Sequence, residues 1–291
     1  MTAPWAMPGV VWPMPGSELV GPNPAWARTF RDAGFAWVRM DVPVSRDRAN
    51  AAASVQVMRD AGLDVLPILS WPSAEPDVDA MCGYARWYVE TFPDSQWVTL
   101  GNEPWILDKI PAAEYLRIAA PMADALEAAH PDVRVVLAMD LYDHVSGKER
   151  GWPGVNDVIA CIASSPRRYA DIHPYRNPYR PTYSPWGSRD NEYEALEARL
   201  GHQRFLYGEI GWKPSEGPMQ ACGDYHVQEL DIAQHHQMPL VGIYCHIADL
   251  HDPAFDFGLW VARDELLTPR PAARTVAAYL QETVTAERST P

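Results

Sequence analysis

Two glutamates stand out by their surroundings. Glu103 closes the stretch Val98-Thr99-Leu100-Gly101-Asn102-Glu103, with Pro104 and Trp105 next, and Glu209 lies inside Phe205-Leu206-Tyr207-Gly208-Glu209-Ile210-Gly211-Trp212. A lone glutamate after a strand is usually a solvated loop residue. Two of them, each flanked by apolar sequence, suit a shared and partly buried site. Hydrolysis of a glycosidic bond needs such a pair: one carboxyl protonates the departing oxygen, and the other attacks the anomeric carbon or activates water against it. Other polar and aromatic groups also follow apolar runs: Arg39 and Asp41, Ser70 and Trp71, His173 and Tyr175, His246 and Asp249. An arginine such as Arg39 at the same site would lower the pKa of a neighbouring carboxylate.

The elements that must carry these groups are short apolar runs alternating with longer amphipathic ones. Strands are predicted at 9–12, 36–40, 64–69, 97–100, 134–139, 169–172, 204–208 and 240–245. Most are continuously apolar, as strands of a parallel sheet covered on both faces should be. Between them, Ala51, Val55 and Met58, and then Leu116, Ala119, Ala123 and Leu126, recur at helical spacing. Pro111 suits a helix start, Pro121 should kink the helix that follows, and Gly34 and Gly62 read as helix C-terminal caps. Eight strand-then-helix units in 291 residues predict an α/β fold, a single (β/α)8 TIM barrel filling 1–291 and fraying after about 286. An open doubly wound sheet is the structural alternative, but no glycine-rich phosphate loop follows the first strand. In a barrel the active site lies at the C-terminal ends of the strands, which is where all of these groups fall.

With those motifs in order, the chain resembles the clan A glycoside hydrolases, the retaining (β/α)8 enzymes that include cellulase, mannanase and β-xylosidase-like families. The resemblance covers most of the chain. It implies that Glu103 is the acid/base and Glu209 the nucleophile, with Arg39 beneath the nucleophile and Asn102 on the substrate 2-hydroxyl. It further implies that His173 and Tyr175 form the clan's His-x-Tyr pair, Tyr175 bonding the nucleophile, and that Phe257-Gly258-Leu259 and Pro271-Ala272-Ala273 lead into the last helix. The clan's usual tryptophan at the end of strand eight is missing. The chain reads Gly242-Ile243-Tyr244-Cys245-His246 there, so that either His246 takes its place or Trp260 reaches in from the next loop. Arg39 and Tyr175 would keep Glu209 ionised, and proximity to that charge would keep Glu103 protonated.

Aromatic residues fit a sugar ligand, since indole faces stack on pyranose rings. Trp12, Trp71, Trp105 and Trp212 fall at or just after strand ends, and Trp186 lies in a long loop over 176–190 that is a candidate flap. His235 and His236 belong on the outer helices. The one cluster with metal-ligand chemistry is Cys245, His246, Asp249, His251 and Asp252; its spacing matches no zinc signature. No cofactor and no metal is expected. A carbohydrate-binding barrel without catalysis and a metal-dependent hydrolase using that cluster are the competing readings.

Composition bounds the rest. The hydrophobic fraction is 47%, enough for a core without disulfides, and Cys82, Cys161, Cys222 and Cys245 form no paired motif. The net charge of −14, without a basic stripe, argues against nucleic acid or anionic membrane partners and is indifferent to a neutral sugar. Residues 1–16 lack the basic start of a signal peptide, and no run is long enough to span a bilayer. A monomer is expected, either cytoplasmic, phage-associated or secreted with a leader absent from this sequence.

Overall fold

Apolar runs can be buried only if their backbone amides find partners, and here eight of them pair in a ring. The structure, a computed structural model, describes residues 7–11, 23–42, 47–71, 77–105, 107, 109–139, 152–173, 189–212, 219–244, 258–263 and 266–288. The parallel strands are β1 (Met7–Val11), β2 (Trp37–Asp41), β3 (Asp64–Leu69), β4 (Trp97–Leu100), β5 (Arg134–Ala138), β6 (Arg168–Ile172), β7 (Phe205–Ile210) and β8 (Leu240–Ile243). They follow chain order around a closed barrel, with β8 pairing back onto β1. The helices are α1 (Pro24–Asp32), α2 (Arg48–Asp60), α3 (Val78–Thr91), α4 (Ala112–Ala129), α5 (Val155–Ala163), α6 (Arg189–Leu200), α7 (Met219–His235) and α8 (Pro271–Arg288). This is the (β/α)8 barrel. Among the described residues no helix is long and apolar enough to cross a membrane.

Local chemistry explains the helix limits. Asn23 caps α1 by accepting from the Ala25 and Trp26 amides, and Asp47 and Asp77 cap α2 and α3 in the same way. Gly34 and Gly62 adopt φ of 101° and 83° just past α1 and α2, a conformation that glycine takes without strain. Pro121 does not end α4, which continues through it from Ala112 to Ala129. Tyr115, Ile118, Ala119, Met122, Ala123 and Leu126 form one buried face, and that packing outweighs a single missing backbone bond.

Several boundaries differ from the sequence reading. β7 runs on through Glu209 to Ile210, β8 stops at Ile243, and α8 runs from Pro271 to Arg288. A hairpin, β9 (Trp260–Arg263) and β10 (Leu266–Pro269), lies before α8 and was not predicted. α6 begins at Arg189, inside the segment read as a flap; the rest of that flap lies outside the described residues.

The barrel interior is layered. Trp37, Leu66, Val136, Leu206 and Leu240 form a buried cluster of their own, separate from the larger core between strands and helices. Trp37 fits because β1 and β8 carry glycine beside it: a Cβ on Gly9 would lie 2.2 Å from the indole, and one on Gly242 would lie 2.9 Å away. Two residues further along β2, on the same inward side of the strand, stands Arg39, which is fully buried. From that level upward the interior is charged.

Candidate active site

The charged layer is organised around Arg39. Its Nη1 donates to Glu209 Oε1 at 2.5 Å, and its Nη2 donates to Asp171 Oδ2 at 2.7 Å and to Asn102 Oδ1 at 2.9 Å. β2 and β6 lie on opposite sides of the ring, so the Arg39–Asp171 ion pair spans the barrel. Both side chains are 1% exposed. Asp171 has room because β7 carries Gly208 beside it: a Cβ there would lie 1.9 Å from Asp171 Oδ1.

Asp171 is the residue that the sequence reading missed. Tyr169, Asp171 and His173 alternate along β6, so an inward His173 implies an inward Asp171. That alternation was the available signal, masked by the apolar neighbours of Asp171. Burial raises its pKa, but the charges of Arg39 and His173 win and hold the carboxyl down at about 2.

His173 joins the two candidate carboxylates. Its Nδ1 lies 2.7 Å from Glu103 Oε1 and 3.7 Å from Glu209 Oε2, and its Nε2 lies 3.3 Å from Asp171 Oδ2. Burial alone would strip the imidazole of its proton. The facing Glu209 and Asp171 carboxylates and the bond to Glu103 reverse that, lifting its pKa well above the ordinary value. Glu103 responds in the opposite sense: burial pushes its carboxyl up, but the hydrogen bond from His173 and the charges of His173 and Arg39 bring it below the ordinary value. The expectation that the charge of Glu209 keeps Glu103 protonated is therefore corrected. The neighbours of Glu103 favour its carboxylate, and those of His173 favour its cation.

Backbone geometry aims the two glutamates. Glu103 has φ of 42°, two residues after Gly101 at 72°. A non-glycine residue held there stores about 1–3 kcal/mol of strain, a feature that clusters at functional sites. Tyr115 of α4 steadies the turn, donating to the Leu100 carbonyl at 2.7 Å and accepting from the Ala138 amide at 2.9 Å. In β7 the pairing with β8 shifts register between Tyr207 and Ile210, an irregularity that re-aims Glu209 toward Arg39.

The remaining predicted residues divide. Trp71 is partly exposed, stacks on Tyr115 with ring centroids 5.9 Å apart, and lies over Gly101; Asp41 and Ser70 share a 2.5 Å hydrogen bond beside it. Trp105, also partly exposed, carries the Lys109 ammonium 5.8 Å from its ring centre. Trp212 is corrected: it is 1% exposed and packs on Tyr225 of α7, so it offers no face to a ligand. Trp260 is likewise corrected, buried against Phe30 and Phe35 behind the barrel. His235 is exposed and His236 half-buried at the end of α7. Tyr175, His246, Trp12, Trp186 and the cluster of Cys245, Asp249, His251 and Asp252 lie outside the described residues.

Glu103, His173 and Glu209 each offer one donor atom, all within 4.8 Å of one another. A cation there would have to displace the proton from His173 and approach within reach of the Arg39 guanidinium. The site suits acid, base and nucleophile chemistry better than metal ligation.

The fold is shared with solved glycoside hydrolases. An endocellulase from Pyrococcus horikoshii, solved with cellotetraose, matches with a TM-score of 0.63 at 12% identity, over 95% of this chain and 92% of that one. Cel5A of Thermotoga maritima, solved with cellobiose, gives 0.62 at 13% identity, over 94% and 95%. A GH10 endoxylanase from a sugarcane soil metagenome gives 0.59 at 11% identity, over 94% and 97%. No family model matches the chain, and no curated protein matches it by sequence. At these identities the likeness concerns the fold, a TIM barrel of the kind found in clan A glycoside hydrolases.

Proposed function

We propose that the chain is a retaining glycoside hydrolase that cleaves β-glycosidic bonds of a poly- or oligosaccharide by double displacement. Glu209 is the nucleophile and Glu103 the acid/base, and the barrel as a whole is one catalytic domain. The observation that carries this reading is the spacing of the two carboxylates: an oxygen of Glu103 lies within 4.8 Å of one on Glu209. Retaining sites hold their carboxyl groups about 5–5.5 Å apart, whereas inverting sites leave about 6.5–9.5 Å for a water. Arg39 Nη1, 2.5 Å from Glu209 Oε1, holds the nucleophile in position. The solved cellulases and xylanase of like fold support a polysaccharide substrate.

In the first step a Glu209 oxygen bonds to the anomeric carbon as the glycosidic bond breaks and Glu103 protonates the departing oxygen. In the second, Glu103 takes a proton from water, whose hydroxyl replaces Glu209 with a second inversion. Asn102, held by Arg39, faces the sugar 2-hydroxyl in this reading, with Trp71 and Trp105 along the walls and Tyr175 and His246 completing the contacts.

The test is turnover of a panel of aryl β-glycosides, followed by a 2-deoxy-2-fluoro glycosyl donor of the sugar accepted. Fluorine slows both steps while a good leaving group rescues only the first, so an ester should accumulate in the peptide containing Tyr207-Gly208-Glu209. Proton NMR of early hydrolysis should show the retained anomer. Release of the opposite anomer first would sink the nucleophile assignment, and binding of oligosaccharide without turnover would leave a carbohydrate-binding barrel.

A further inference from the structure

The groups around His173 bear directly on its protonation. Arg39 Nη2 carries two hydrogens, and Asp171 Oδ2 at 2.7 Å and Asn102 Oδ1 at 2.9 Å accept from it. The Nε2 atom of His173 lies 3.3 Å from that Nη2 and 3.3 Å from Asp171 Oδ2, so a bare Nε2 would have to share a hydrogen that already has an acceptor. A hydrogen on Nε2, facing the Asp171 carboxylate, leaves every donor an acceptor of its own. The 2.7 Å contact between Nδ1 and Glu103 Oε1 then holds one further proton, since a bare nitrogen would face a bare carboxylate. Asp171, His173 and Glu103 form a continuous chain from the barrel interior to its mouth.

We propose that the proton which the leaving group requires is stored, before substrate binds, in the contact between His173 Nδ1 and Glu103 Oε1, and that Asp171 is the positioning residue that keeps it there. The proposal rests on the reading of Glu103 as acid/base. Asp171 acts as the buried aspartate of a hydrolase triad does, fixing the tautomer and orientation of an imidazole and stabilising its cation. Here the imidazole serves an acid rather than a nucleophile. Every charged group facing His173 among the described residues takes part: Glu103 from the end of β4, Asp171 from β6 and Glu209 from β7 favour the extra proton, and Arg39 from β2 opposes it. Asp171 is held in turn by the trans-barrel ion pair with Arg39, in the space that Gly208 leaves open.

The proton moves from Nδ1 to Oε1 and on to the departing oxygen as the glycosidic bond breaks and the Glu209 ester forms. In the second half, water returns one proton to Glu103 and thence to His173, its hydroxyl takes the anomeric carbon, and Glu209 is released as a carboxylate. No reactant besides substrate and water is needed.

Imidazole NMR titration tests the storage site without any substrate. The His173 signals, assigned by their loss in His173→Gln, should report a cation persisting above pH 7, with the midpoint falling by about one pH unit or more in Asp171→Asn, the response expected when a facing charge is removed. A neutral His173 at pH 7 in the unsubstituted protein, or an unchanged midpoint in Asp171→Asn, would overturn the proposal. Should Asp171→Asn not fold, a leaving-group series on His173→Gln decides. Loss of kcat/KM should be small for activated aryl glycosides and grow to about 10²-fold or more for poor leaving groups, as loss of an acid does. Equal loss across the series would reduce His173 and Asp171 to scaffolding. Absence of turnover in the unsubstituted protein would sink the glycosidase reading and leave the titration result standing.

Discussion

Two layers of the barrel interior, one inward step apart on β2, β7 and β8, have opposite characters. In the lower layer Trp37, Leu66, Val136, Leu206 and Leu240 pack against one another, apolar throughout. In the upper one Arg39 follows Trp37, Gly208 follows Leu206 and Gly242 follows Leu240, while Asp171 and Glu209 bond to the guanidinium and His173 lies between Asp171 and Glu103. Strand pairing runs through both, interrupted only where β7 shifts register against β8, so the difference lies mainly in the side chains. The lower layer gains from burial of area, tolerates approximate shapes and needs no partner. The upper layer loses solvation at every charge and offsets that loss with the ion pairs centred on Arg39 and His173. Stability and chemistry are thus separated along the barrel axis rather than around it.

The largest effect should come from the upper layer without harm to the fold. Glu209→Gln should lower turnover by about 10⁴-fold or more, as removal of a nucleophile does, while its thermal midpoint stays close to that of the unsubstituted chain. Comparing initial rates with melting curves checks both; a parallel collapse of melting temperature would mean that Glu209 is a structural counter-ion. The opposite profile is expected of Trp37→Ala, with about 3–5 kcal/mol of stability lost to a cavity. Urea unfolding measures that loss, and turnover per folded molecule should fall much less. If turnover fell as far as in Glu209→Gln, the layers would not be separable.

The charged layer should also titrate where the apolar one cannot. Asp171 has a folded pKa of about 2 against an ordinary 3.8. A depressed carboxylate stabilises the fold above its unfolded pKa and loses that contribution as pH falls through the folded value. Stability of about 2 kcal/mol should therefore be present above pH 4 and vanish toward pH 2. Denaturation curves of the unsubstituted protein minus Asp171→Asn isolate that share, and a flat difference between pH 4 and pH 2 would contradict it. An effect of comparable size is expected of Gly208→Ala, whose methyl would meet Asp171 Oδ1 at 1.9 Å. About 1–3 kcal/mol of overpacking is expected, with the His173 titration shifted downward as Asp171 is displaced.

Fold class was legible because it rests on local pattern: continuous apolar runs at regular intervals and glycines at 34 and 62 each act within a few residues of themselves. The candidate carboxylates were legible for a related reason, since a polar side chain at the end of a buried strand has few places to go. Trp212 misled because a strand end does not say which side of the sheet an indole takes; it turned to the helices and packed on Tyr225.

By itself the sequence determined which strands form, in what order, and that Arg39, Asn102, Glu103, His173 and Glu209 stand at one end of them. Only the tertiary structure decided that β2 and β6 face each other across the ring, so that Arg39 and Asp171, far apart in the chain, share a hydrogen bond of 2.7 Å. It also decided that the carboxylates of Glu103, Asp171 and Glu209 surround His173 and that Glu209 turns inward at an irregularity in β7. Local propensity sets the periods of a chain. Closure of the barrel brings unlike charges together out of water, and the fields that assign protons exist only once that has happened.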